Sequence, residues 1–140
     1  MRDESLPQEL AALAEQRWHS YCECWPQATS WPPEQQQQGA TALALSDFIN
    51  DNCQQQPQWL QQALLGGALD AAAFADDIER QLAASQDEAE ASALLRRFRR
   101  QHSVTIAIHD LLGLWAVEAG LEAISALADA LIMSALRWLL

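Results

Sequence analysis

The sequence predicts an all-α fold, an irregular helical bundle of about five to six helices that ends in a long helical hairpin. Half of the 140 residues are apolar, with alanine and leucine prominent among them, and β-branched residues are sparse. Glycine and proline, which interrupt helices, number only five each. This composition favours helix over sheet, because alanine and leucine have high helix propensity and strands prefer β-branched residues.

A single helical domain is predicted over residues 1–140, with an N-terminal helix in 1–25, a flexible connector in 26–39 and a helical core in 40–140. The division rests on the distribution of helix breakers. Apolar residues recur at helical spacing before and after the connector, but not within it.

The first helix is predicted over residues 6–25, where Ser5 can act as a cap and Pro7 lies in the first turn. The connector combines Pro32 and Pro33 with a run of four glutamines, so it contains helix breakers and lacks a helical period. We therefore expect it to separate the first helix from the core.

Residues 40–52 are predicted to form a second helix, in which Ser46 and Asp47 can mark a local break or a cap. A third helix begins beside Pro57 and ends at the adjacent pair of glycines that follows it. Both helices are expected to be short.

The remaining part of the chain has the most regular pattern. An apolar residue at every fourth position from Phe74 to Leu82 predicts a fourth helix over about residues 70–84. Two long helices, over about residues 87–115 and 119–140, then form the hairpin. The last helix has a broad apolar face that begins with Leu121, Ile124 and Leu127.

The chain is strongly acidic. All eight basic residues are arginines, against nineteen acidic residues, so the net charge is −11. Such a charge repels nucleic acid and anionic membranes, and it favours a protein partner. The longest strongly apolar run, over residues 104–117, is shorter than the ~20 residues that span a bilayer, and it is predicted to be a core helix.

The cysteines and histidines do not indicate a metal site. Cys22, Cys24 and Cys53 are odd in number and no secretory segment opens the chain, which indicates a reducing, cytoplasmic compartment. On a helix, Cys22 and Cys24 would point about 200° from each other. His102 and His109 would lie about 10 Å apart along a helix, too far for one metal, and are interpreted as satisfied helix histidines.

The conspicuous charge feature is LRRFRR at residues 95–100, with four arginines in five positions. On a helix the four spread over roughly 160°, and Phe98 points to the other side. Guanidinium groups can bind a phosphate or an acidic protein surface through planar, bidentate donors. The favoured interpretation is an exposed face paired with the chain's own carboxylates. The four residues are Arg96, Arg97, Arg99 and Arg100.

Asp110 completes this candidate interaction or interdomain contact. It lies almost three helical turns beyond Arg99, so the two cannot pair within one helix. We expect Asp110 to bond to a neighbouring helix or to cap a local irregularity. No nucleophile stands beside a base and no glycine-rich phosphate loop occurs, so no catalytic, cofactor or metal site is predicted.

Three stretches, in order along the chain, resemble the N-terminal part of the bacterial bifunctional glutamine synthetase adenylyltransferase/adenylyl-removing enzymes. They begin at Ser46 (SDFINDNCQQQPQWLQQAL), at Leu95 (LRRFRRQHSVTIAIHDLLGL) and at Ile124 (ISALADALIMSALRWLL). Together they extend the resemblance over about residues 40–140. The family usually has a second arginine ahead of its Ile-Ala pair where this chain has Thr105, which puts any contact of that arginine in doubt.

The resemblance implies a non-catalytic N-terminal fragment of the adenylyl-removing half of such an enzyme, which controls glutamine synthetase by adding and removing AMP. The nucleotidyltransferase core would follow residue 140. Magnesium and ATP are implied for the larger enzyme, and glutamine synthetase, the PII protein and the rest of the chain are implied as partners. An alternative hypothesis is a free-standing helical adaptor that binds an acidic protein through the arginine-rich helix.

Overall fold

Helices account for nearly all of the structure, a computed structural model that describes residues 7–67 and 69–139. These residues form seven α-helices and two short 3₁₀ helices, without a β-strand, which confirms the predicted all-α class. Ser5 and Leu6, at the predicted start of the first helix, lie outside the described residues. The α-helices are α1 (Gln8–Cys24), α2 (Pro33–Leu45), α3 (Asp47–Gln55), α4 (Pro57–Leu65), α5 (Phe74–Ala83), α6 (Glu88–Leu111) and α7 (Val117–Leu139). The 3₁₀ helices are Pro26–Ser30 and Ala71–Ala73.

The helices divide into two compact units, with the boundary between Gly67 and Ala68. The first unit contains α1 to α4, and the second contains α5 to α7. The helical domain predicted over residues 1–140 thus contains two units, and each is described separately.

The first unit is organised by aromatic side chains of α1. Tyr21 is fully buried, and its hydroxyl donates a hydrogen bond to the backbone oxygen of Pro57 at the start of α4. Trp18 stacks on Tyr21 with 5.5 Å between ring centroids, and the ring of Trp31 lies 5.9 Å from that of Tyr21. These contacts hold α1 against the segments that follow it in the chain.

Residues 26–39 are largely helical, so the prediction of a connector without regular structure is wrong. Trp31 is buried, and the side-chain amide of Gln36 donates to its backbone oxygen at 2.7 Å. Gly39 allows α2 to approach α1 closely, because a Cβ atom there would lie 2.7 Å from the ring of Trp18. Tertiary contacts with α1 therefore stabilise a glutamine-rich helix that has no apolar period of its own.

Residues 40–52, predicted as one helix, belong to two. Ser46 separates α2 from α3, and its hydroxyl oxygen accepts a hydrogen bond from the N–H of Ile49 at 3.1 Å. This side chain satisfies a backbone donor that the first turn of a helix leaves free. The expected break is thereby confirmed, and α4 begins at Pro57 and is capped at Gly66 as predicted.

The second unit contains the predicted hairpin. Helices α6 and α7 pack together and are joined by residues 112–116, in which Gly113 has a φ of 63° that favours glycine. The predicted stripe of α5 is buried against them. The core of this unit consists of Phe74, Ile78, Leu82, Ala91, Phe98, Ile106, Ala123, Leu127 and Ala130.

Candidate functional site

An exposed patch on α6, here called the arginine surface, consists of Arg96, Arg97, Arg99 and Arg100. Its orientation follows from Phe98, which is buried on the opposite side of the helix. The ring of Phe98 meets that of Phe74 edge to face, with 6.2 Å between centroids. Because this contact fixes the rotation of α6, all four guanidinium groups face solvent.

The local sequence also determines where α6 begins. The carboxylate of Asp87 accepts a hydrogen bond from the N–H of Glu90 at 2.8 Å. In return, the carboxylate of Glu90 accepts one from the N–H of Gln86 at 2.9 Å. These reciprocal bonds satisfy backbone donors at the helix start and place negative charge where the helix dipole favours it.

None of the four arginines forms an ion pair with a carboxylate in the part of the chain that the structure describes. The favoured interpretation, in which these side chains pair with the chain's own acids, is therefore wrong for these residues. Other arginines do pair, namely Arg17 with Asp47, Arg80 with Asp77 and Arg137 with Glu79. The arginine surface is therefore a cluster of positive charges that have no ion-pair partner among the described residues, on a protein that is acidic overall.

An open cleft of about 350 Å³ borders the arginine surface between α5 and α6. Arg97 and Glu90 bring opposite charges to it, and Gln81 and Gln101 contribute amide groups. Phe98 adds an apolar part to its lining. The cleft can bind a polar segment of a partner through hydrogen bonds and charge pairs, and its lining includes no serine, cysteine or histidine.

Asp110, the fifth predicted site residue, does not belong to the arginine surface. It lies ten residues, or about 15 Å, beyond Arg100 along α6. Its carboxylate accepts a hydrogen bond from the indole N–H of Trp115, in the connection to α7. It also contacts Gly120, where a Cβ atom would lie 2.5 Å from the carboxylate oxygen. Asp110 thus bonds to the connection that follows its own helix, and its contacts join the two helices of the hairpin.

Thr105, at which the resemblance led us to expect an arginine in the related chains, lies within α6. Its hydroxyl donates a hydrogen bond to the backbone oxygen of Gln101, one turn earlier in α6, at 3.3 Å. The side chain is therefore engaged within its own helix and cannot replace an arginine contact.

His102 is a titratable residue whose surroundings the sequence did not predict. Its ring centroid lies 4.3 Å from that of Phe98 and 4.7 Å from that of Phe74. Burial lowers its pKa, and the nearby carboxylate of Asp77 opposes this effect. The buried Nδ1 atom has no hydrogen-bond partner in the described structure, so the interpretation of His102 as a satisfied histidine is wrong.

The cysteines lie in different environments. Cys53 is buried in the first unit, which raises the pKa of its thiol to about 12, whereas Cys24 is exposed. Cys22 is half-buried, and burial raises its pKa as well. Across residues 7–67 and 69–139, no group of three or more His, Cys, Asp or Glu side chains is placed to hold a metal ion.

Helix α7 has the predicted broad apolar face, but part of this face is exposed. Leu121 and Ile124, from the predicted apolar face, are 60% and 49% exposed, whereas Leu127 is buried. By length and composition alone, α7 could cross a membrane. The sequence does contain a signal for this exposed surface, because α7 is apolar on more than one side. When one apolar side packs against the neighbouring helices, the other apolar side remains exposed.

The chain is similar to enzymes that share one description. A family model described as glutamate-ammonia ligase adenylyltransferase matches residues 36–140, which include the arginine surface and Asp110. A bifunctional glutamine synthetase adenylyltransferase/adenylyl-removing enzyme of Shewanella loihica is 36% identical over 143 residues, covering 99% of this chain and 15% of the relative. An enzyme of the same name from Psychromonas ingrahamii is 37% identical over 101 residues, covering 69% of this chain and 11% of the relative.

These matches cover the chain far better than they cover the relatives. The chain spans about 15% of the length of the curated relatives that it matches. No solved structure matches the chain significantly.

Proposed function

The chain belongs to the glutamate-ammonia ligase adenylyltransferase family, and from this premise we propose that it is a non-catalytic helical part of the adenylyl-removing half of a longer enzyme. In this proposal, the arginine surface binds an acidic surface on the rest of that enzyme or on glutamine synthetase. The chain then contributes to the control of glutamine synthetase, while other parts of the enzyme add and remove AMP.

The observation that carries this proposal is the arginine surface itself. Four guanidinium groups on one helix have no ion-pair partner among residues 7–67 and 69–139, in a chain whose net charge is −11. Arginine keeps its charge at any physiological pH and binds carboxylates through two parallel hydrogen bonds. A surface of this kind supports binding to an acidic protein face, and the residues around it support no nucleophilic reaction.

Magnesium, ATP and the PII protein belong to the proposal only through the longer enzyme. The described residues bring no group of three or more His, Cys, Asp or Glu side chains together, so they give no support for placing the magnesium site in this chain. The proposal therefore assigns magnesium and ATP to other segments, along with regulation by PII. It places the enzyme in the cytoplasm.

The test is a chimera in which this chain replaces the matching N-terminal segment of the Shewanella loihica enzyme. The assay measures phosphate-dependent removal of AMP from adenylylated glutamine synthetase by the chimera and by this chain alone. We expect activity in the chimera and none in the isolated chain. Activity of the isolated chain would show that the segment is catalytic and would contradict the proposal.

The role of the arginine surface is tested in the same chimera. Replacing its four arginines by glutamine should lower AMP removal, and replacing them by lysine should restore part of it, because lysine keeps the charge but not the bidentate geometry. Helical circular dichroism should stay unchanged in both variants. Full activity of the glutamine variant would exclude a role for this surface.

A free-standing helical adaptor is the second candidate, and the unpaired arginine surface favours it as well. It differs from the first in that the isolated chain would bind glutamine synthetase or another acidic protein without the rest of the enzyme. Binding of the isolated chain to glutamine synthetase, together with an inactive chimera, would favour the adaptor.

A further inference from the structure

Helix α7 packs against its neighbours through one narrow face. The buried residues on this face follow each other at steps of three and four, which is the spacing of a single seam along a helix. Most are small, so α7 approaches its neighbours closely, and Ala126, Leu131 and Trp138 beside the seam pack partly buried against the same core. The seam consists of Gly120, Ala123, Leu127, Ala130 and Ser134.

The face away from the seam is apolar as well, and it is exposed over the full length of the helix. We call it the α7 stripe. Its side chains are between 49% and 73% exposed, and they recur at helical spacing over about 33 Å. A helix that is apolar on two opposite sides usually packs against neighbours on both sides. The stripe consists of Val117, Leu121, Ile124, Ile132, Leu136 and Leu139.

Carboxylates line one edge of the α7 stripe. At about 100° per residue, Glu118, Glu122 and Asp129 lie within roughly 40° of each other, next to the stripe and on the same side of it. All three are exposed, and none forms an ion pair within the described ranges. The stripe is therefore apolar along its centre and negatively charged along one edge.

This pattern identifies the kind of partner that fits. An anionic bilayer would be repelled by the acidic edge, and the net charge of −11 adds to the repulsion. A second copy in antiparallel pairing would bring two acidic edges together, which is unfavourable. A helix with its own apolar stripe and a basic edge would bury the apolar side chains and neutralise the carboxylates.

We propose that the α7 stripe binds an amphipathic helix whose apolar face is edged by lysine or arginine side chains. This surface is separate from the arginine surface, and the inference does not depend on the adenylyl-removing role. The apolar contact supplies affinity, and the acidic edge selects the charge and the register of the partner helix.

The test uses the whole chain and two labelled synthetic peptides of 23 residues, the length of α7. Both peptides carry the same leucine and isoleucine stripe, and they differ only in having lysine or glutamate along its edge. We expect the lysine peptide to bind about tenfold more tightly at low salt, with a smaller difference at high salt. Equal binding of the two peptides, or no binding, would overturn the proposal.

Variants locate the binding site. Ile132→Ser combined with Leu136→Ser should weaken binding of the lysine peptide by about tenfold or more, since both side chains lie within the stripe. The matched control is Leu45→Ser combined with Phe48→Ser, which removes exposed apolar side chains from the first unit and should leave binding unchanged. An equal loss in both variants would also contradict the proposal.

Two further measurements test the other possible partners of the α7 stripe, a second copy of the chain and a lipid bilayer. Sedimentation would assign the α7 stripe to a second copy of the chain if the unmodified chain formed a dimer and the variant with Ile132→Ser and Leu136→Ser did not. Flotation with vesicles of phosphatidylcholine and phosphatidylglycerol would assign it to a bilayer if binding depended on the same residues. Either result would replace the basic helix as the partner, and we expect neither.

Discussion

The carboxylate of Asp110 accepts a hydrogen bond from the indole N–H of Trp115 and at the same time lies against the backbone of Gly120. The three residues belong to the end of α6, the connection and the start of α7. One side chain thus joins the two arms of the hairpin, and it requires a residue without a Cβ atom at position 120.

Removing this contact should destabilise the chain. We expect Asp110→Ala to lower the free energy of unfolding by about 1 kcal/mol, because the indole N–H of the half-buried Trp115 loses a charged acceptor. Urea denaturation followed by tryptophan fluorescence measures the change. Glu122→Ala, which removes an exposed carboxylate from the same unit, serves as the control and should change stability by less than about 0.5 kcal/mol.

Gly120→Ala should destabilise the wild-type chain, although alanine is the better helix former by about 1 kcal/mol. The reason is that the new methyl group would meet the Asp110 carboxylate at 2.5 Å. In the Asp110→Ala background this clash is absent, so the same substitution should become neutral or stabilising. A double-mutant cycle measures this coupling, and additive effects would contradict the direct contact.

Two arginines should differ in their contribution to stability. Arg17 donates to the backbone oxygen of Leu43 and pairs with Asp47 at 2.8 Å, whereas Arg96 is exposed and forms no ion pair in the described residues. We expect Arg17→Gln to cost about 1 to 2 kcal/mol and Arg96→Gln less than about 0.5 kcal/mol. Thermal unfolding of the two variants tests this, and an equal loss would show that Arg96 has a partner after all.

Stability should fall in mild acid because of His102. Its pKa in the folded chain is below the usual 6.5, so the unfolded chain takes up a proton first as the pH falls. The contribution of the neutral imidazole is therefore complete above about pH 6.5 and is lost as the pH drops below that value. We expect the loss of stability between about pH 7.5 and 5.5 to be smaller in His102→Phe than in the wild type. Identical pH profiles would exclude this role.

The cysteines should react at different rates with a thiol reagent. Burial raises the pKa of Cys53 to about 12, so almost no thiolate forms at mildly alkaline pH, whereas Cys24 is exposed. We expect rapid modification of Cys24 and modification of Cys53 only after unfolding in urea. Cys24→Ser should abolish the rapid phase, and its persistence would mean that another thiol is accessible.

Local chemistry was sufficient to predict several helix ends and the exposure of the arginine surface. Ser46 caps the following helix with its own hydroxyl, and Pro57 begins α4 with a ring that already has the required φ. Phe98 is buried opposite the arginines, as the helical period predicts. Each of these features depends on residues that are close together in the chain.

The glutamine-rich helix and the unpaired arginines could not be predicted in the same way. The segment that begins at Pro26 is helical because Trp31 and Gly39 contact α1, which is distant in sequence. Whether an exposed arginine pairs depends on where carboxylates of other helices come to lie, and the acids near α6 pair elsewhere or cap its start.

The sequence by itself determined the all-α class, several helix ends and the position of the arginines on one side of α6, because these follow from propensity, capping and a period of 3.6 residues. Only the tertiary structure decided which side of α7 is buried, which arginines remain unpaired and that Asp110 holds the hairpin. These outcomes depend on distances between side chains that are far apart in the chain, and a helical period contains no information about such distances.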